Sequence, residues 1–213
     1  MKIVRPKLST FLEEASLEDF DAETSLENAH ISGDIAANLT ITAGDLNGVL
    51  IEKVTLSWSQ LPRLIARDID VRTSDVSNVG MSNAGINRAL FTDCRMSGCD
   101  FSQAQLHDVV FKGCKLDIAN FRFADLRRVS FINCQLTETD FIGCHLYDVT
   151  FESSQLDRTV FEKAVCKKVD LRTSDLINIA GWTSLKGATI DGAQLAMIAP
   201  YLAHAVGLTV SNQ

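Results

Sequence analysis

The sequence predicts an all-β chain wound as a quadrilateral parallel β-helix, a solenoid closed by a short C-terminal α-helical cap. Two observations carry this reading. Phe91, Phe101, Phe111, Phe121, Phe131, Phe141, Phe151 and Phe161 recur every ten residues, and Met96, Leu106, Leu116, Leu126, Leu136, Leu146, Leu156 and Cys166 fall midway between them. With 46% apolar residues overall, sixteen such sites in succession arise by chance about four times in a million. Two residues before each site stands a smaller one, from Ala89, Cys94 and Cys99 to Thr159 and Ala164. A strict period of five fits neither the helical nor the strand template. One large and one small inward residue in each five make every pentapeptide one side of a square, four sides to a turn. Phe91, Phe111, Phe131 and Phe151 then stack on one side, and Phe101, Phe121, Phe141 and Phe161 on the opposite one. Turns stacked at about 4.8 Å fill the interior with ladders of like residues and leave no lumen.

Taken in order, the chain of 213 residues opens on Lys2, Arg5, Pro6 and Lys7, without the apolar run of a signal peptide. It has no stretch of about twenty apolar residues to span a membrane. Both points place it in the cytoplasm. The first thirty residues carry Glu13, Glu14, Glu18, Asp19, Asp21, Glu23 and Glu27 against three bases, so −4 of the net −7 lies there and −3 remains for the rest. Thr10 and Glu13 have capping-box spacing ahead of Leu17 and Phe20, which predicts a short helix. Residues 1–25 read as an N-terminal cap over the open end of the coil, since solenoid ends need polar covers; an acidic docking tail is the alternative.

The five-residue register runs back from Phe91 to Leu46 and reaches as early as Leu26 and Ile31. Asp34 and Gly44 at small-residue sites and Ala36 at a large one make the first turns irregular. The coil is assigned to residues 26–190, about seven to eight turns. Trp58 and Pro62 fall at outward positions. After Leu171, Leu176 and Gly181 the next large sites, Leu185, Ile190 and Leu195, come one residue early, and Gly181-Trp182 absorbs the slip. Residues 191–213 form the helical cap: Asp191 caps a helix through Leu195 and Ile198, and Pro200 suits the first turn of a second helix. Gly207 stops that helix, and Leu208-Thr209-Val210 reads as a short strand.

No catalytic, metal-binding or cofactor-binding constellation emerges. Five of the six cysteines sit in the small inward column and Cys166 in the large one; there is no CxxC pair, and no histidine has ligand spacing. His107 and His145 fall on one side without an aligned nucleophile. The outward residues carry what function there is. Asp108, Arg128, Asp148 and Lys168 alternate in charge one turn apart, with Arg127 and Lys167 beside them. Asp117, Glu138 and Asp157 give one modest acidic side, diluted by Lys115 and Arg158. Phe123 and Ile142, flanked by Arg122 and Gly143, give an apolar one, with Gly143 leaving room beside the Phe123 ring. No basic stripe for direct nucleic-acid binding appears.

Runs such as Ala119-Asn120-Phe121-Arg122-Phe123-Ala124-Asp125-Leu126 resemble the pentapeptide-repeat family, whose motif is a small residue, Asp or Asn, Leu or Phe, then two polar residues. The resemblance implies a right-handed quadrilateral β-helix and no catalysis. Gly187-Ala188-Thr189-Ile190-Asp191, then Gln194, Leu195 and Ile198, closing on Val206 to Val210, is similar to the C-terminal segment of the topoisomerase-protecting, quinolone-resistance members. In those members this segment forms a dimer interface. It implies a homodimer through Leu195, Ile198, Tyr201, Leu202 and Val206. The same resemblance implies a DNA mimic that binds and modulates or protects DNA gyrase or topoisomerase IV, with Asp117, Glu138 and Asp157 as candidate contacts. The modest charge of the coil sets against this a general protein-interaction scaffold read through Phe123 and Ile142.

Overall fold

The computed structural model describes residues 2–20 and 25–209; Asp21, Glu23 and Val210 lie outside the described residues. The strands are β1 (Glu13–Glu14), β2 (Ser25–Glu27), β3 (Ala29–Ser32), β4 (Asp45–Asn47), β5 (Leu50–Glu52), β6 (Ile65–Arg72), β7 (Gly85–Thr92), β8 (Gln105–Lys112), β9 (Asp125–Ile132), β10 (His145–Glu152) and β11 (Val165–Asp170). All pair in parallel, in the order β1-β3-β5-β6-β7-β8-β9-β10-β11, with β2 and β4 joining alongside. From Ser25↔Asp45 to Val160↔Ala180 each paired residue lies against the one 20 positions on, and the coil makes about eight turns. Two sides of each turn form the long strands. The other two meet through single bridges such as Arg95↔Lys115 and Asp100↔Asn120.

The pentapeptide turns its corner in one place. The second residue after each large site takes a left-handed φ of about 50–70°, as at Asp68, Arg88, Asp108, Ile118, Phe123 and Arg128. Within the square, the predicted ladders form. Phe91, Phe111, Phe131 and Phe151 stack with ring centroids 5.0 Å apart, and Phe101, Phe121, Phe141 and Phe161 at 4.8–5.2 Å. The two ladders meet edge to face. Stacked and edge-on pairs each add about 0.5–1.5 kcal/mol beyond area burial. The small column has its own rule: its polar members donate to the carbonyl 23 residues back. Cys99 Sγ reaches Val76 O at 2.9 Å, Thr139 Oγ1 reaches Leu116 O at 2.9 Å and Ser174 Oγ reaches Phe151 O at 2.7 Å. Burial pushes the Cys99 and Cys144 thiols up to about 12, so both stay protonated donors.

The interior is not filled throughout. Before Phe91 the ladder positions hold Ile51, Val71, Leu61 and Met81, and these shorter side chains leave an apolar cavity of about 60 Å³. The expectation of a void-free coil holds for the phenylalanine half only.

Both ends differ from the sequence reading. Thr10 and Glu13 start no helix; Glu13 enters β1. The capping box lies at Ser16 and Asp19, around a short 3-10 helix, Leu17–Asp19. Leu17 and Phe20 bury against the first turn, and Asp34 Oδ2 accepts the Leu17 N–H at 2.7 Å. Lys2–Leu12 run outside the coil instead of across its end, with Val4 and Lys7 bonded to Asp108 and Asp68. At the other end the slip is real: Asp170 pairs with Thr189, 19 residues on, after Gly181 (φ 85°) and a 3-10 turn at Trp182–Leu185. Pro200 starts no second helix. A single helix, α1 (Gly192–Ala205), runs through it. Pro200 removes one N–H bond, but Ile198 and Leu202 on either side of it pack on the same core and hold one axis. Leu208 and Thr209 form no strand; Leu208 N–H closes on Ala203 O and Gly207 N–H on His204 O, the paired bonds of a glycine helix stop.

Candidate protein-interaction surface

Local chemistry sets the side that carries Phe123. Asn120 Oδ1 accepts the Arg122 N–H at 3.0 Å and Asp140 Oδ1 accepts the Ile142 N–H at 2.7 Å. A carboxylate or amide just before the buried Phe thus holds the outward turn residue in place. Phe123 then stands at the corner with φ 60° and 59% exposed. Its ring overlies Gly143, the corner residue one turn on. Ile142 is half-buried beside it, and Arg122 Nη1 lies 3.4 Å from Asp140 Oδ2. The preceding corner holds Ile118, also 59% exposed and left-handed (φ 54°). That conformation costs a non-glycine residue about 1–2 kcal/mol. A β-branched residue there gains no core burial in return. The sequence reading did not single out Ile118, although its register position two residues after Leu116 marks it as a corner residue.

The acidic side is drawn together and neutralised at once. Arg158 Nη2 lies 2.8 Å from Glu138 Oε1, and its Nη1 lies 2.7 Å from Asp157 Oδ2. Asp157 also accepts from Asn178 at 2.9 Å, and Asp117 accepts the Thr137 N–H at 3.2 Å. One arginine therefore holds two of the three candidate acids.

The alternating ladder is longer than four rungs. It starts at Asp68 and Arg88, and its first two aspartates are gripped in forks from the next turn: Arg88 on Asp68, and Arg128 on Asp108 at 2.7 and 2.6 Å. The arginine forks hold both carboxyls below their usual range, against the opposing effect of burial. Lys168 lies 4.0 Å from Asp148. Arg127 pairs with its own neighbour Asp125, and Lys167 Nζ stands 5.0 Å over the Tyr147 ring. Burial lowers the His107 pKa, and its Nε2 has no hydrogen-bond partner. Among the described residues no group of three or more His, Cys, Asp or Glu could hold a metal, and no helix is long and apolar enough to cross a membrane.

At the C-terminus the five dimer candidates divide. Ile198 is 2% exposed against its own coil and Leu202 is half-buried, so both serve the cap of a single chain; Leu195, Tyr201 and Val206 face outward. Gln194 does what the sequence reading missed. Its Nε2 donates to Leu171 O (2.7 Å) and Ser174 O (2.8 Å), and the first of these carbonyls is again 23 residues back. The helix thereby supplies the rung that a next turn would have provided.

Residues 104–180 and 124–195 match the family model described as pentapeptide repeat region. No curated protein matches the chain. Among solved structures, a trypsin-treated form of QnrB1, a plasmid-mediated fluoroquinolone resistance protein, aligns over 94% of this chain and 97% of its own with 21% identity and a TM-score of 0.52. Full-length QnrB1 aligns over 82% and 99%, at 17% identity and a TM-score of 0.40. HetL, a pentapeptide repeat protein involved in heterocyst differentiation regulation in the cyanobacterium Nostoc, aligns over 78% and 89%, at 18% identity and a TM-score of 0.26. The first of these shows a common fold.

Proposed function

We propose that this chain, whose residues 104–195 match the pentapeptide repeat region model, acts in the cytoplasm as a non-catalytic scaffold that binds a protein partner. The observation that carries this is the corner column at Phe123. An aromatic ring 59% exposed stands beside Ile142, over a glycine that leaves it room, and the neighbouring corner holds an isoleucine that is also 59% exposed. Large apolar side chains left exposed side by side point to recognition, and aromatic anchors dominate protein interfaces. The second reading is a topoisomerase-binding DNA mimic. The C-terminal resemblance to quinolone-resistance members favours it; the pairing of Arg158 with Glu138 and Asp157 weighs against it. In either case we assign a homodimer to Leu195, Tyr201 and Val206, and leave Ile198 and Leu202 to the cap.

A supercoiling assay with purified DNA gyrase and topoisomerase IV, with and without a quinolone, separates the two readings. The scaffold reading expects no inhibition and no rescue, and a partner bound by wild type but not by Phe123→Asp. Inhibition or rescue that survives Phe123→Asp and fails with Glu138→Lys would replace it by the mimic. Light scattering that finds Leu195→Asp and wild type equally monomeric rejects the dimer.

A further inference from the structure

Residues 2–12 form no strand or helix, yet they lie in register with the coil. Val4 N–H donates to Asp108 Oδ1 at 3.1 Å and Lys7 N–H to Asp68 Oδ1 at 2.9 Å. Three residues of extended chain span about 10 Å. Two turns of the coil span nearly the same, about 9.6 Å, and Asp68 and Asp108 stand two turns apart. The arm therefore climbs the outside of the coil with one main-chain donor for each aspartate. Asp148 continues the series a further two turns on.

The acceptors are built for this. Their side chains are 11% (Asp68) and 7% (Asp108) exposed, and Arg88 and Arg128 fix both carboxylates from the following turns. Each Oδ1 accepts one arginine Nε and, from outside, one arm N–H. What holds the arm is slight by comparison. It contributes these two donors, the half-buried side chains of Ile3, Pro6 and Leu8, and the charges of Lys2, Arg5 and Lys7. Nothing in that set is particular to this segment; it is met by any extended basic polypeptide with free N–H groups three residues apart.

We infer that the edge carrying Asp68 and Asp108 is a docking groove for an extended basic segment of a partner protein, and that residues 2–8 occupy it as an intramolecular stand-in which the partner displaces. This inference goes beyond the Phe123 surface and does not rest on it, since the two lie on different sides of the coil.

The full-length double variant Val4→Pro/Lys7→Pro tests it, because proline removes both donors and leaves the coil untouched. The probe is a fluorescent peptide of residues 2–12, followed by anisotropy, with a scrambled peptide as control. If the arm fills the groove about nine-tenths of the time, the variant binds the probe about ten-fold more tightly than wild type. Adding Asp108→Asn to the variant should abolish that gain. Equal binding by wild type and variant, equal binding of the scrambled peptide, or indifference to Asp108→Asn overturns the inference. Hydrogen exchange on the wild type is an independent check: Val4 and Lys7 amides should exchange more slowly than Ile3 and Arg5, and uniform fast exchange along the arm overturns the seat itself.

Discussion

The ring of Phe123 and the α-carbon of Gly143 occupy the same corner on successive turns, so closely that a Cβ at Gly143 would stand 2.6 Å from Phe123 Cδ1 and Cε1. Gly143 also has φ 67°, which a glycine adopts without strain. Gly143→Ala is expected to lower the unfolding free energy by about 1–2 kcal/mol and to push the ring aside. In a Phe123→Ala background the same change should lose less, because the ring is gone. A double-mutant cycle in urea reads the coupling, and additive effects would show that ring and glycine do not meet.

The two halves of the core respond in opposite senses. Phe121→Ala removes a ring stacked on both neighbours and should cost about 3–5 kcal/mol. Val71→Phe places a ring against Phe91, its ladder partner, beside the cavity in the aliphatic half. It should stabilise by about 0.5–2 kcal/mol, as cavity filling commonly does. Denaturation midpoints check both, and a Val71→Phe protein less stable than wild type would mean the cavity is too narrow for a ring.

Acid should weaken the fold through Asp68 and Asp108. Their arginine forks depress the folded pKa, so each contributes stability that is complete above the unfolded value of about 4 and is lost as the pH falls through the lower folded value. The charged groups around them are Arg88, Arg128, Lys7 and His107. Asp108→Asn should lower stability at pH 7 by on the order of 1 kcal/mol, after allowance for the partly exposed arginine. It should also flatten the fall in melting temperature as the pH drops below about 4. A variant with the wild-type acid profile would place the acid sensitivity elsewhere.

Gln194 holds the helix to the coil through two carbonyls. Gln194→Ala leaves Leu171 O and Ser174 O without that donor, a loss of about 1–3 kcal/mol for buried groups. Trypsin should then cut after Lys186 at a concentration that leaves wild type intact. Unchanged proteolysis would assign the docking to Ile198 alone.

Periodicity made the coil legible from residue types alone, because a pentapeptide register places each large and small residue without reference to anything distant. The Phe123–Gly143 contact was legible for the same reason: 20 residues is one turn. What failed has identifiable physical causes. The arm is held by main-chain donors to residues 61 and 104 positions away, and a main-chain N–H leaves no mark on side-chain patterns. Thr10/Glu13 and Ser16/Asp19 both have capping spacing, and pairing of Glu13 with Ala29 decided between them. Pro200 was read from local propensity, which the docking of Ile198 and Leu202 overrides. The cavity depends on summed volumes rather than on which positions point inward. The acidic side was legible as three acids, while the reach of Arg158 to two of them required the geometry.

The one-residue slip at Gly181-Trp182 reaches beyond the last turn. A parallel coil is a template: each finished turn presents the unpaired edge on which an identical strand could be laid, and a second molecule's first turn matches it. By shortening the final step from 20 residues to 19 and filling the next rung with the Gln194 side chain, the chain spoils its own edge for copying. Growth stops as a polymer stops at a chain terminator, and molecules that meet at this end must do so through helix faces instead of joining strand by strand into a fibre.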